Sequence, residues 1–303
     1  MRSTPCCLRS SLSALWVLTL LCAALQTACK TNFPAIPGAP HAQTDKREKE
    51  LPDALDKLLL EGERAARTGA VAGAGAAYRS ARERFPEYAL AWSYYGEYLR
   101  FYSADPEAAA RAFRRAIAAP CTDKRATAFA WRGLAEIAQH QGSVDEAIRL
   151  LHKSIDLMPL AAAHRSLSAL LATAYRDFAG AAEHASLALQ LVADDPLALL
   201  QYAVQLVRLG KPVEGRSAFV RALELGGCDE RGRSAKPVHC CILYNAACYY
   251  AVAGADELAL VMLQAFFKTP EHRHISREDL EADPDLEGLR QDPRFLELID
   301  RFL

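Results

Sequence analysis

The stretch AFAWRGLAEIAQHQGSVDEAIRLLHKSIDLMPLA, residues 128–161, decides the fold. Trp131, Leu134 and Ala138 recur at helical spacing on one face, Gly142 interrupts them, and Ala147 and Leu151 resume the pattern before Pro159. Each of these residues has a physical task. Small side chains such as Ala138 and Ala147 let two helices approach closely, Gly142 permits a tight turn, and Pro159 ends the second helix because it has no N–H to donate. The segment therefore predicts a hairpin of two helices with a one-sided apolar face that needs neighbours to cover it.

The same spacing recurs on either side. Unit 55–88 carries Leu58, Gly62, Gly69, Ala74, Tyr78, Ala81 and Pro86; unit 89–122 carries Trp92, Gly96, Leu99, Ala109, Phe113, Ala116 and Pro120, with an extra residue near Asp105-Pro106. Unit 162–195 keeps Ala169, Ala172, Ala181 and Ala188 but has no glycine where the turn falls, and reads as degenerate. Units 196–229 (Leu199, Tyr202, Gly210, Gly215, Phe219, Ala222) and 240–273 (Leu243, Ala247, Tyr250, Gly254, Ala259, Leu263) complete a set of six. A polar insertion at 228–239 separates the last two. This pattern, at a period of about 34 residues, resembles the tetratricopeptide repeat superfamily. The resemblance implies an all-α, right-handed superhelix over 51–273. Residues 274–303, with Leu286, Leu289 and Phe295, resemble the segment that closes bacterial arrays of this kind and are expected to cover the last repeat.

Composition agrees with an all-helical body, since Ala, Leu, Arg and Glu dominate while Val, Ile and Thr are scarce. A net charge of −1 with acids and bases intermixed offers no basic field, so nucleic acid is not an expected partner. Arg2 and Arg9 precede an apolar run from Leu12 to Leu25, which reads as an export signal over 1–28. Leu25-Gln26-Thr27-Ala28-Cys29 resembles a bacterial lipobox, although Gln26 stands where that family usually has Leu. The resemblance implies lipid on Cys29, with plain cleavage or an uncleaved anchor as alternatives. Residues 29–50 read as a flexible tether, and the expected location is the bacterial periplasm at the outer or inner membrane.

In arrays of this family the first helix of each unit lines a concave groove that receives a peptide or a helix. By that correspondence Glu63, Glu97 and Glu136 are expected to form an exposed acidic column with Arg67, Arg100, Phe101, Arg132 and His140 nearby. Farther along, Leu170, Leu200, Val204, Val207, Arg208, Tyr244 and Cys248 make the wall apolar. Such a groove suits a protein partner with a basic or mixed-charge stretch followed by an apolar one. The alternative is a solvated glutamate face and an apolar end buried by the cap or a neighbouring subunit. The Lys and Asn clamp of terminus-binding relatives is not expected, because Glu replaces Asn.

Cys228, His239, Cys240, Cys241 and Cys248 lack the paired short spacings of a zinc ribbon. Packing of small thiols is the expected role, followed by a disulfide from Cys228 to Cys240 or Cys241. Gly73-Ala-Gly75 falls inside a second helix, and no nucleophile elbow, phosphate loop or metal-protease motif occurs. These readings predict a non-catalytic scaffold without a cofactor or metal, serving a cell-envelope assembly; a carrier of a hydrophobic ligand and a surface adhesin are the competing functions.

Overall fold

A computed structural model describes residues 52–103, 105–121, 123–236, 238–269 and 275–303; the expected signal over 1–28, Cys29 and the expected tether over 29–50 lie outside them. Six helical hairpins follow one another: α1 (Asp53–Arg67) with α2 (Val71–Arg84), α3 (Ala89–Tyr102) with α4 (Pro106–Ile117), α5 (Lys124–His140) with α6 (Val144–Leu157). Next come α7 (Ala161–Ala174) with α8 (Phe178–Leu191), α9 (Pro196–Arg208) with α10 (Pro212–Gly226), and α11 (Cys240–Val252) with α12 (Asp256–Phe267). The chain closes with α13 (Arg277–Ala282), a 3-10 turn (Pro284–Leu289) and α14 (Pro293–Phe302).

Local sequence accounts for the boundaries. Asp105, Asp123, Asp177 and Asp195 accept backbone N–H bonds at helix N-termini, and Pro106 and Pro196 sit where the missing N–H costs nothing. In four hairpins the turn contains a left-handed glycine, Gly69, Gly142, Gly210 and Gly254, at φ 74°, 75°, 74° and 72°. In the fourth hairpin Arg176 adopts this conformation, at φ 53°. The irregularity of that unit is thus confined to its turn, because α7 and α8 each run a full 14 residues.

Each first helix packs on its own second helix, and α1, α3 and α5, like α7, α9 and α11, also pack on one another in sequence. First helices therefore stand side by side along one wall, with second helices behind them. Phe113 from α4 is the knob that joins units two and three. A Cβ built on Gly96 of α3 would lie 2.8 Å from its ring, and one on Gly133 of α5 would lie 2.3 Å away. Buried apolar side chains form one cluster from Leu55 to Leu170 and a second from Leu199 to Ile299. Between them, α8 packs on both α7 and α9 and buries Ala181, Ala182, Ala185 and Ala188. Leu286, Leu289, Phe295 and Ile299 are fully buried in the second cluster, so the closing segment completes the core of the last hairpin.

Candidate partner-binding groove

The glutamate column is not exposed. Glu63, Glu97 and Glu136 are 6 %, 1 % and 2 % accessible, and Arg100 and Arg132 are buried with them. Four of these side chains form a closed cycle. Arg100 donates to Glu97 through Nε (3.0 Å) and Nη2 (2.7 Å) and pairs with Glu136 through Nη1 at 2.9 Å. Arg132 donates to Glu97 at 2.8 Å and also to Glu136, its neighbour one turn along α5. Each carboxylate thus meets both guanidiniums, and each guanidinium both carboxylates. Ser166 of α7 reaches Glu136 at 3.4 Å, and Tyr94 Oη of α3 donates to Glu63 of unit one at 2.6 Å.

The expectation of exposure fails for a definite reason: the repeated position faces the first helix of the adjacent unit rather than solvent. Both the acidic docking column and the solvated face are replaced by an internal ion-pair cycle. Burial alone would raise the Glu97 pKa, but Arg100 and Arg132 outweigh it and bring the value down to about 2. His140 moves the other way for a base. Burial, then the adjacent Arg100, lower it to about 4 against the opposing pull of Glu136. Such a cycle fixes the relative placement of α3 and α5, because removing one member leaves an uncompensated buried charge.

Solvent reaches the wall one turn beyond the cycle. Arg67 is exposed, while Phe101, His140 and Arg208 are half-buried. Phe101 lies under the Arg100 guanidinium, 3.9 Å from ring centroid to Cζ, so its ring is held by the cycle. These residues share one place at the end of successive first helices and form a row.

At the other end Leu170, Leu200, Val204, Tyr244 and Cys248 are all buried. The closing segment covers Tyr244 and Cys248, so burial by the cap describes these two, whereas Leu170 is buried in the first cluster. Tyr244 Oη donates to Asp283 at 2.5 Å, and Arg208 donates to Asp285 at 2.5 Å and to the Pro284 carbonyl at 3.3 Å. The Arg208 guanidinium also lies 4.6 Å from the centre of the Phe178 ring. The acidic pair Asp283 and Asp285 was not singled out from the sequence; the Asp-Pro-Asp run, facing a lone groove arginine, was its available signal.

Cys228 is a free thiol, so the disulfide from Cys228 to Cys240 or Cys241 is not formed. Cys240 and Cys241 stand 3.9 Å apart, well beyond bonding distance. Gly73 and Gly75 lie within α2, where a phosphate-binding loop has no place. On the outer side, a cleft of about 460 Å³ runs between α4 and α6 over α5, lined by Arg114, Trp131, Leu134 and Lys153. Among the described residues no helix is long and apolar enough to cross a membrane.

No protein-family model and no curated protein matches the sequence. Among solved structures the chain is similar to Pseudomonas aeruginosa PilF, at 18 % identity and a TM-score of 0.52, over 73 % of this chain and 96 % of that one. It is also similar to the Cut9–Hcn1 assembly of the APC/C, at 18 % identity and a TM-score of 0.50, over 82 % of this chain and 46 % of that one. YrrB, described as a TPR protein with an unusual peptide-binding site, aligns at 22 % identity and a TM-score of 0.42, over 65 % and 94 %. At such identities the likeness is one of fold. The six hairpins and the likeness to the first two structures define the fold as an α-α solenoid of helix-turn-helix repeats.

Proposed function

We propose that the protein is a non-catalytic scaffold that binds a protein partner along the row Arg67, Phe101 and His140. The observation that carries this reading is the held Phe101 ring. It is an aromatic side chain still open to solvent on the first-helix wall, fixed in place by a buried charge cycle that prevents α3 and α5 from shifting. Pre-organised aromatic anchors flanked by arginine are the groups that contribute most to peptide and helix recognition. The arginine and aromatic character of the row suits a segment that offers acidic and apolar side chains, rather than the basic stretch an acidic column would have received.

In this reading the chain is exported, carries lipid on Cys29, and serves a complex of the cell envelope from the membrane surface. The support is the sequence of the leader and the tether alone. A hydrophobic-ligand carrier is the weaker reading, because Leu286 and Leu289 already pack in the cluster that holds Leu200, Val204 and Tyr244. Pull-down from native membranes tests the scaffold role, comparing wild type with Arg67→Glu/Phe101→Ala. Loss of one envelope protein from the variant, with helicity unchanged, supports it; identical recoveries would overturn it. Metabolic labelling with a fatty-acid analogue, lost in Cys29→Ser, tests the anchor.

A further inference from the structure

We propose that Cys248, Asp283 and Asp285 form a binding site for a zinc-class divalent ion that clasps the closing segment to the last first helix. One donor atom from each residue lies within 4.8 Å of the other two. Cys248 Sγ stands 3.9 Å from Asp283 Oδ2. A tetrahedral ion with bonds of about 2.3 Å to sulfur and about 2.1 Å to oxygen places such donors roughly 3.6 Å apart, so only a small contraction is needed.

The surroundings orient the donors as a metal site requires. Tyr244 holds Asp283 at 2.5 Å and Arg208 holds Asp285 at 2.5 Å, each leaving further lone pairs on its carboxylate. The mixture of one sulfur and two oxygens favours zinc over magnesium or calcium, which prefer oxygen alone. Charge points the same way. A thiolate and two carboxylates total −3, and Arg208 with a divalent ion totals +3, so the loaded site is neutral.

On binding, the Cys248 sulfur forms a bond to the ion and its proton passes to solvent. The ion is not reduced or oxidised. A water completes the fourth position. The ion would tie residues 283–285 to α11, making closure of the array metal-dependent. The sequence prediction of no metal overlooked this set because Cys248 and Asp283 are separated by 35 residues and meet only when the closing segment folds back.

The test uses the full chain, stripped with chelator and titrated with Co²⁺ alone. One equivalent should produce the near-ultraviolet thiolate-to-cobalt charge-transfer band, and Zn²⁺ should displace it and raise the thermal midpoint. Cys248→Ser should abolish the band, and Asp283→Asn should weaken Zn²⁺ binding at least about tenfold. Cys241→Ser, in the separate cluster of His239, Cys240 and Cys241, should change neither readout. If Cys248→Ser does not fold, Asp285→Asn, on the less buried side, should show the same tenfold loss. Absence of the band in wild type, its persistence in a folded Cys248→Ser, or its loss in Cys241→Ser overturns the proposal.

Discussion

Arg132 donates to Glu97 across 35 residues of sequence, at 2.8 Å, in a place that water barely reaches. This bond links the first helices of two successive repeats, and the Arg100–Glu136 pair returns the link in the opposite direction. The two repeats are therefore joined by charge as well as by the Phe113 knob, and the groove wall inherits their rigidity.

Glu97→Gln keeps the shape of the side chain but leaves Arg100 and Arg132 with one carboxylate between them. We expect a loss of about 3–5 kcal/mol in chemical denaturation, the range typical of a broken buried ion pair. A loss below about 1 kcal/mol would show that the cycle is solvated.

Acid should weaken the fold in two steps. His140 is lowered from 6.5 to about 4, so the folded state favours the neutral ring; that stability is present above pH 6.5 and disappears as the pH falls to about 4. Glu97 is lowered from 4.5 to about 2, so its contribution is present above pH 4.5 and fades as the pH falls toward 2. Thermal midpoints of wild type should decline from about pH 6.5 downward. In His140→Gln the decline between pH 6.5 and 4.5 should be shallower but still present, because burial also lowers His164 and His184.

Gly133→Ala should destabilise the protein by about 1–3 kcal/mol despite the better helix propensity of alanine. The added carbon would lie 2.3 Å from the buried Phe113 ring. Ala147, fully buried between α6 and its neighbours, should respond similarly to Leu. An unchanged denaturation midpoint in both variants would contradict the packing described.

Arg176→Gly should have the opposite sign. Arg176 holds a left-handed conformation at φ 53°, and its ion pair with Glu287, 3.8 Å long and open to solvent on both sides, contributes little. Relief of backbone strain should raise stability by up to about 1 kcal/mol, read as a higher urea midpoint with an unchanged slope.

The fold was legible because its constraints are local. Alanine, glycine and proline at fixed intervals mark close helix approach, left-handed turns and helix ends, and Arg176 hid one turn only by taking a conformation that glycine usually supplies. The site was legible in membership but not in state. Helical spacing placed Glu97, Arg100, Arg132 and Glu136 on one face, yet burial depends on what the next unit sets opposite them. Opposite charges in adjacent units at matching depth were the signal of mutual burial. Asp283 and Asp285 escaped notice because no period relates a closing segment to the helix it folds against.

The most direct test of the scaffold reading places a photoreactive phenylalanine analogue at Phe101 in living cells, with Val213, 82 % exposed at the start of α10, as the control position. The account predicts a discrete protein adduct from position 101 and none from position 213, with the adduct abolished by Arg67→Glu. Adducts from 213 and none from 101 would contradict it, and would move the interaction surface off the first-helix wall.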